Sequence, residues 1–244
     1  MPRFFVNKEN IEDDKVRLVG QDAFHIARSL RMAVGDEITV SDGDGREYLC
    51  KLSSIRDEDC LAKVESERDS SSEPRSEITL YMAYPKGDKL ETVVQKAVEL
   101  GVTSIVPFIS SRCIKRPPED KADKQTQRLS KIATEAAKQC GRGRLPTVEK
   151  PISIGAVAGA VSNYELTLFC YEGEGTRSLR DVLESAKLPK KIAVIVGSEG
   201  GFSPEEAKTL TENGAVAVNL GPRILRCETA PDYVLSSISY RFEL

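Results

Sequence analysis

The sequence is poor in histidine, and this scarcity removes several kinds of site from consideration. His25 is the single histidine among 244 residues. A metal centre built from several imidazoles cannot be assembled from one, and a catalytic triad that depends on histidine has only this candidate. We interpret His25 as a packed structural residue near the amino end. The sequence therefore predicts no metal site.

Closely spaced cysteines and long apolar runs are also missing. The six cysteines never stand at the C-x-x-C spacing of metal or redox motifs, and we expect free thiols in a reducing compartment. Apolar runs such as residues 192–196 are far shorter than the ~20 residues that cross a bilayer, so no membrane span is predicted. The amino end meets charged residues soon after Phe4 and predicts no signal peptide. A cytoplasmic location is expected.

The chain carries little net charge, because its 35 basic and 38 acidic residues give a formal net charge of −3. Such a total gives no sign of a polyanionic partner. Residues 112–150 differ, since they hold 11 basic side chains against five acidic ones, a local charge of +6 that leaves −9 for the rest. This basic segment is either a solvated face or a contact surface for RNA phosphates.

A polar stretch marks a domain boundary. Hydrophobic residues make up 40% of the chain and charged residues 30%, as in a globular protein of one or two domains. Residues 65–77 contain no apolar side chain that could join a core. We therefore predict one domain over residues 1–70, a linker over 71–77 and a second domain over 78–244.

The first predicted domain is a small β-barrel with one helix. Residues 37–41 and 47–52 alternate polar and apolar side chains around a glycine-containing turn, which predicts a hairpin. Apolar residues from Phe24 to Val34 recur at helical spacing, and Gly35 follows as a stop signal. The pattern predicts a helix in front of the hairpin.

The second predicted domain is an α/β domain with a mostly parallel sheet. The predicted strands cover residues 78–84, 104–110, 166–171, 192–197 and 215–220. Between the first two, residues 90–100 place apolar side chains on one helical face, and Gly101 follows. Strand, helix and strand at this spacing form a βαβ unit. Ligands of parallel sheets bind at the carboxyl ends of the strands, so the loops there are the candidate site.

Two loops at the carboxyl ends of predicted strands contain glycines and are the candidates for the site. Residues 197–202, the first glycine loop, read Gly-Ser-Glu-Gly-Gly-Phe and precede Ser203 and Glu206, which suit a capping box. The loop is either a tight turn or a surface where backbone approaches a ligand. Its glycine spacing fits neither a dinucleotide fingerprint nor a Walker loop.

Residues 221–231, the second glycine loop, place Arg223 and Arg226 on either side of an apolar pair. The arginines either pair with surface acids or line a binding surface. A terminal helix follows, and Thr229 and Asp232 suit its amino end.

Together the two loops resemble the bipartite signature of the SPOUT methyltransferases, and in particular of their RsmE group. Residues 86–89, 95–101 and 135–142 are similar to that group as well. At the amino end, His25, residues 30–31 and residues 35–36 resemble its PUA-like domain. The similarity covers nearly the whole chain. Cys227 departs from it, because threonine is expected there.

The resemblance implies an S-adenosylmethionine-dependent enzyme that methylates N3 of a uridine in the decoding region of 16S ribosomal RNA. It further implies a SPOUT-type sheet with a C-terminal trefoil knot and a homodimer acting on 16S rRNA or the small ribosomal subunit. The implied cofactor contacts are Gly197, Ser198, Gly200, Gly201, Leu220, Gly221, Ile224, Leu225, Thr229 and Ala230. The candidate RNA contacts are Arg3, Arg28, Arg31, Lys86, Arg142 and Arg223. Arg28 and Arg31 are three positions apart, which places them on one face of the predicted helix, and the alternative is that the arginines of this domain are solvated surface residues.

The resemblance also suggests how the reaction proceeds. Uridine N3 becomes nucleophilic as its imide proton leaves, and a cation near the base oxygens stabilises the developing anion. Arg226, or Arg223, is the candidate for that electrostatic role, while Glu199 or Glu228 is the candidate proton acceptor. Both carboxylates could equally be helix-end companions or partners of the arginines. Next to Arg226 a lowered pKa of the Cys227 thiol would be incidental, because thiol attack activates carbon 5 and not N3.

Other functions stay open on the sequence alone. The chain could methylate another RNA, or it could be a non-catalytic ribosome assembly factor on the same scaffold. A small-molecule enzyme that uses the glycine loops for a nucleotide-like cofactor is a third possibility.

Overall fold

The computed structural model describes residues 1–114, 116 and 119–244, and for residues 119–121 it describes the backbone alone. Lys115, one of the basic residues of the 112–150 segment, lies outside the described residues. The chain forms two compact units. The first unit comprises residues 1–73 and 137–145, and the second comprises residues 74–136 and 146–244.

The first unit is built on a curled six-stranded sheet with the order β1-β4-β5-β6-β3-β2. Its β1 pairs with β4 in parallel, and the other pairings are antiparallel. The strands are β1 (Arg3–Phe5), β2 (Ile11–Glu12), β3 (Lys15–Val19), β4 (Glu37–Ser41), β5 (Arg46–Ser54) and β6 (Asp59–Asp69). Inward side chains such as Val16, Leu18, Ile38, Val40 and Leu52 form the core.

The predicted hairpin is confirmed as β4 and β5, which pair from Glu37 with Lys51 to Ser41 with Glu47. Gly43 and Gly45 both have positive φ in its turn, a backbone conformation that costs glycine little.

The helix predicted in front of this hairpin is much shorter than expected. It consists of α1 (Gln21–Phe24) and a π-helical turn (His25–Ser29). Arg31 follows with φ of 51°, so it does not share a helical face with Arg28 as the spacing suggested. Phe24, Leu30 and Val34 are exposed, because Ala23 and Ile26 supply the contacts to the core.

The polar segment at the predicted boundary begins as a strand. The long strand β6 stays paired with β5 as far as the pair Arg46 and Asp69. Residues 65–69 are therefore polar because this end of the strand is exposed, and not because they form a linker.

The second unit contains an eight-stranded sheet in which every described pairing is parallel. The strand order is β10-β8-β7-β13-β11-β14-β12, and β9 pairs with β8. The strands are β7 (Glu77–Ala83), β8 (Ser104–Ile109), β9 (Thr147–Val148), β10 (Ile152–Ser153), β11 (Leu166–Cys170), β12 (Arg177–Ser178), β13 (Lys191–Val196) and β14 (Val216–Asn219). The five predicted strands and the parallel sheet are thus confirmed.

Helices cover this sheet. Successive residues of a strand face opposite sides, and β7 and β13 are buried at consecutive positions, so both faces are covered. One group of helices packs α2 and α5 against α7, and another packs α4 against α6. The helices after α1 are α2 (Lys89–Glu99), α3 (Glu119–Cys140), α4 (Ile154–Ala160), α5 (Leu179–Ser185), α6 (Pro204–Glu212) and α7 (Thr229–Phe242). Among the described residues, no helix has the length and apolar character needed to cross a membrane.

Candidate active site

A cavity of about 780 Å³ lies at the carboxyl ends of β11, β13 and β14. The two glycine loops form much of its wall, as the sequence predicts for this edge of a parallel sheet. Lys89 and Arg112 contribute from neighbouring elements. Of the predicted cofactor contacts, the structure places all except Thr229 along this cavity.

The first glycine loop is held in a tight conformation. A Cβ atom on Gly197 would stand 2.8 Å from the Phe202 ring, and one on Gly200 would stand 3.0 Å from Cβ of Arg112. Gly201 has φ of 62°, and its N–H donates to the Ser198 carbonyl at 2.9 Å. Larger residues at 197 and 200 would have to displace these neighbours, so the sequence pattern has a steric cause.

The predicted capping box at the start of α6 is confirmed. The Ser203 hydroxyl accepts the N–H of Glu206, and the Glu206 carboxylate accepts the N–H of Ser203. The other oxygen of that carboxylate accepts the N–H of Ser111 at 2.6 Å. Arg112 donates to the Gly200 carbonyl at 3.0 Å. The residues after β8 thus brace the first glycine loop.

The buried hydroxyl of Ser198 has no hydrogen-bond partner among the described residues. A buried polar group without a partner is costly, unless a ligand supplies one. Because Ser198 lines the cavity, its hydroxyl is available to a bound molecule.

The second glycine loop presents backbone and two cations to the cavity. Gly221 has φ of 100°, and Ile224 is 82% exposed. No acceptor among the described residues takes the N–H of Ile224 or Leu225. Arg223 and Arg226 are exposed along the same wall.

The predicted cap of α7 is wrong. Glu228 is the N-cap residue, and no side chain caps the helix. Thr229 is the first helical residue, and its N–H donates to the Arg226 carbonyl at 2.8 Å.

A third loop, residues 171–176, completes the cavity and was not predicted. Tyr171 stacks on Phe169 with ring centroids 5.3 Å apart. A Cβ atom on Gly173 would fall 2.2 Å from the Tyr171 ring, so a larger residue there would have to displace the ring. Tyr171, Glu172 and Gly173 all line the cavity. The signal was present in the sequence, because two glycines follow a strand that the pattern had located.

Glu199 and Glu228 come together on one lysine, which the sequence analysis did not include in the site. Lys89 Nζ lies 3.0 Å from Glu199 Oε1 and 3.1 Å from Glu228 Oε2. Burial alone would raise the pKa of each carboxyl, but hydrogen bonds from backbone N–H groups and Lys89 hold both pKa values below the ordinary range. Both carboxylates are therefore ionised at neutral pH. Glu199 borders the cavity.

Cys227 does not have the lowered pKa that its position beside Arg226 suggested. Burial, reinforced by a hydrogen bond to Glu228 Oε2 at 3.2 Å and by the charge of Glu199, raises the pKa of its thiol to about 12. The thiol is therefore protonated at neutral pH and is a poor nucleophile.

The predicted RNA contacts have different surroundings. Arg3 and Arg142 are engaged inside the first unit: Arg3 lies 2.7 Å from Glu47, and Arg142, which is 2% exposed, lies 2.8 Å from Glu73. Both guanidinium groups thus already have acidic partners, Arg142 in a buried ion pair and Arg3 in a partly buried one, and RNA contact by either residue stays a prediction. The four others, Arg28, Arg31, Lys86 and Arg223, are exposed.

Two of those exposed residues already have neighbours. Arg28 pairs with Asp57, and the backbone N–H of Lys86 donates to the Glu199 carboxylate. No acidic side chain of the described residues pairs with Arg31 or Arg223.

The cavity suits a small organic ligand better than a metal ion. Its volume is in the range of small-molecule pockets, and it offers glycine backbone, a free hydroxyl and apolar side chains. Among the residues that the structure describes, no cluster of three His, Cys, Asp or Glu side chains could hold a metal ion.

This combination of fold and site has counterparts among known proteins. A family model for an RNA methyltransferase domain matches residues 71–239, and a model for an RNA methyltransferase PUA domain matches residues 13–65. The class that the fold and site define is therefore that of RNA methyltransferases with a PUA-type domain.

Individual relatives narrow the class. Ribosomal RNA small subunit methyltransferase E of Bacillus subtilis is 35% identical over 100% of this chain and 98% of that protein. The protein of the same name from Synechocystis is 32% identical over 99% of this chain and 78% of that protein. The chain belongs to the ribosomal RNA small subunit methyltransferase E family, the RsmE group.

Solved structures agree with this assignment. Ribosomal RNA small subunit methyltransferase E from Neisseria gonorrhoeae, bound to S-adenosyl methionine, has a TM-score of 0.86 at 30% identity and covers 98% of this chain and 97% of its own. A methyltransferase from Legionella pneumophila in complex with bound SAM also has a TM-score of 0.86, at 29% identity, over 98% of this chain and 96% of its own.

Proposed function

We propose that the protein transfers a methyl group from S-adenosylmethionine to N3 of a uridine in the decoding region of 16S ribosomal RNA, forming 3-methyluridine. The observation that carries this proposal is the cavity at the sheet edge, where two glycine loops, a free Ser198 hydroxyl and two exposed arginines meet. S-adenosylmethionine is the cofactor of the family, and it is bound in the solved structures of the Neisseria and Legionella proteins.

The cofactor supplies an electrophilic methyl group on its sulfonium. The chain's part is to hold it and to orient the acceptor, since alignment alone contributes much of such a rate enhancement. Gly197, Gly200 and Gly201 let backbone approach the adenosyl group, and Ser198 offers its hydroxyl. Ile224 and Leu225 contribute unpaired N–H groups and apolar surface from the second glycine loop.

The charged residues at the cavity act on the uridine. Arg226 lines the cavity and is the proposed cation that stabilises the negative charge developing on the base oxygens as N3 loses its proton. Glu199 is ionised and borders the cavity, so it is the proposed proton acceptor. Glu228 does not line the cavity, and we assign it to the ion-pair network with Lys89.

Exposed basic residues are proposed to hold the RNA backbone. In the second unit, the proposed contacts to RNA phosphates are Arg223 and Lys86. In the first unit, Arg28 and Arg31 flank an exposed apolar surface that includes Phe24 and Leu30. Single-stranded RNA is bound by such combinations, because aromatic rings stack on bases while arginines contact phosphates.

We further propose that the protein is a homodimer. The terminal helix α7 leaves Tyr233 and Tyr240 exposed, and because they are seven positions apart they lie on one face of the helix; Leu244, just beyond the helix end, is exposed as well. Tyrosine side chains are enriched at protein–protein interfaces, which is the basis of this proposal. Light scattering should give twice the monomer mass, and Tyr240→Lys should shift it towards one copy.

The C-terminal trefoil knot and the cytoplasmic location are proposed from the family resemblance. The strand order is compatible with a knot, since β13 lies between β7 and β11 while β14 lies beyond β11. A chain trace from a crystal would test whether the loops at 197–230 are threaded.

The decisive experiment is incubation of the purified protein with labelled S-adenosylmethionine and either free 16S RNA or assembled small subunits, followed by nucleoside analysis. We expect label in 3-methyluridine. Label in another nucleoside would move the protein to a different RNA substrate, and cofactor binding without transfer to either substrate would indicate an assembly factor.

A further inference from the structure

Lys89 is the one basic side chain of the described residues that contacts carboxylates from two separate parts of the cavity region. It is the first residue of α2, which follows β7 at the same sheet edge as the glycine loops. Glu199 belongs to the first glycine loop, and Glu228 is the N-cap residue of α7 at the end of the second. The two carboxylates are 29 positions apart in the sequence, and the lysine joins them.

Without a cation between them, the two carboxylates would repel each other. Each lies about 3 Å from Lys89 Nζ, within direct hydrogen-bond distance. Neither side chain is fully exposed, with 28% of Glu199 and 24% of Glu228 accessible, so water screens them only in part. Glu199 also accepts the N–H of Lys86, and Cys227 donates to Glu228.

The same two helices carry a second ion pair that the cavity does not include. Lys96 of α2 lies 3.0 Å from Asp232 of α7. Since α2 and α7 also pack directly, their association does not depend on Lys89. What Lys89 adds is a connection between the two loops that form the cavity wall.

We propose that Lys89 is a positioning residue of the methyl-transfer site, whose ammonium group fixes the first glycine loop against the start of α7 through Glu199 and Glu228. This inference rests on the proposed function, because it concerns the geometry of the same site. Lys89 acts through the two carboxylates and does not itself take part in the reaction.

The test compares Lys89→Met with Lys96→Met, which removes an ion pair of the same length between the same helices. We expect the melting temperatures of the two variants to fall by similar amounts. Lys89→Met should weaken S-adenosylmethionine binding, measured by calorimetry, by about tenfold or more, because the first glycine loop that holds the cofactor loses its connection to the start of α7. Lys96→Met should bind as the wild type does.

The pH profile of methyl transfer supplies a readout that a stability effect alone would not move. The ionisable groups facing Lys89 are Glu199 from the glycine loop and Glu228 and Cys227 from the start of α7. Removing the ammonium raises the pKa of both carboxyls, so the acid limb of the profile should move to higher pH in Lys89→Met. Lys89→Arg should restore the position of that limb, since a guanidinium can contact both carboxylates.

Equal cofactor affinity and equal acid limbs in Lys89→Met and Lys96→Met would overturn the proposal. If Lys89→Met does not fold, the neutral and polar variant Lys89→Gln takes its place, with the same criteria. A wild-type protein that binds S-adenosylmethionine and methylates no RNA would refute the proposed function, and the calorimetric comparison would still decide the role of Lys89.

Discussion

Cys227 is 7% exposed, and its thiol lies 3.2 Å from a carboxylate oxygen of Glu228. Its raised pKa makes it a hydrogen-bond donor at neutral pH, a task that the hydroxyl of threonine performs equally well. We therefore expect Cys227→Thr to keep wild-type methyl transfer and cofactor affinity. Native Cys227 should also resist alkylation by iodoacetamide, as mass spectrometry can report. Loss of activity in Cys227→Thr together with rapid alkylation of the wild type would indicate a reactive thiol instead.

The two carboxylates on Lys89 are expected to differ in their contribution to turnover. Glu199 borders the cavity and is the proposed proton acceptor, so Glu199→Gln should lower kcat by about a hundredfold or more. Glu228→Gln removes a partner of Lys89 outside the cavity wall and should have the smaller effect. Single-turnover methyl transfer at saturating cofactor measures both. Near-normal rates in both variants would eliminate a carboxylate base.

Glu73 is predicted to control stability and not activity. It accepts hydrogen bonds from the buried guanidinium of Arg142 and from the N–H groups of Gly143 and Arg144. Glu73→Gln leaves the buried cation without its counter-charge and should cost about 3 kcal/mol of unfolding free energy. Glu67→Gln, which breaks a pair with Arg46 on the exposed end of β6, is the matched control and should change stability little.

The sign of the pH dependence follows from the pKa of Glu73. Burial alone would raise that pKa, but Arg142 and the two backbone N–H groups lower it below its ordinary value of 4.5. The stabilisation is therefore complete above pH 4.5 and is lost as the pH falls through the lowered value. Denaturant titrations should show the wild type and Glu73→Gln converging in acid, and a constant difference across that range would contradict this assignment.

At the scale of helices and strands, the sequence pattern correctly predicted the strands that contain a continuous run of buried apolar residues. The strands β7, β8, β11, β13 and β14 were located within one or two residues, since runs of buried apolar residues define them. The helix before the first hairpin was overestimated, because Phe24, Leu30 and Val34 have helical spacing yet face solvent. Periodicity alone does not say which apolar residues a core will accept.

The site was predicted in part for a related reason. Its glycine loops are contiguous in sequence, so steric requirements at Gly197 and Gly221 leave a readable pattern. Lys89 is 110 positions from Glu199, and only the sheet order brings the two together. No spacing rule connects residues so far apart. The third loop could have been predicted, because Gly173 comes shortly after β11 just as Gly197 comes after β13.

The first glycine loop should respond sharply to a single methyl group. Gly197→Ala would place a Cβ 2.8 Å from the Phe202 ring, and overpacking of this kind costs about 1–3 kcal/mol. It should also weaken S-adenosylmethionine binding, because the loop must move. Gly159→Ala in α4 is the control: its Cβ would meet no atom within 4 Å, and alanine should stabilise that helix by about 1 kcal/mol. Equal cofactor affinity in the two variants would refute the steric argument.

For the molecule as a whole, the near-neutral total charge conceals an uneven distribution, and the structure shows how far it is compensated. Within the basic segment 112–150, several cations are already paired with acidic side chains. These pairs are Arg128 with Glu91, Lys138 with Asp22, Arg142 with Glu73 and Lys150 with Asp123. The segment therefore offers RNA fewer charges than its composition suggests.

Within α3, Lys124 and Lys131 are exposed and pair with no acidic side chain of the described residues, and they lie seven positions apart, on one face of the helix. If RNA phosphates contact this face, the double variant Lys124→Glu and Lys131→Glu should bind 16S RNA more weakly. The slope of log affinity against log salt should fall in magnitude by about two, because each lost phosphate contact removes nearly one released counterion. Filter binding between 50 and 200 mM salt, a range chosen because phosphate contacts respond strongly across about that interval, measures both quantities.

The control is Lys208→Glu, which alters an exposed i,i+4 pair with Glu212 on α6 and should leave the slope unchanged. An unchanged slope in the α3 double variant would show that RNA lies elsewhere, and affinity independent of salt in the wild type would argue against a phosphate-based RNA interface altogether.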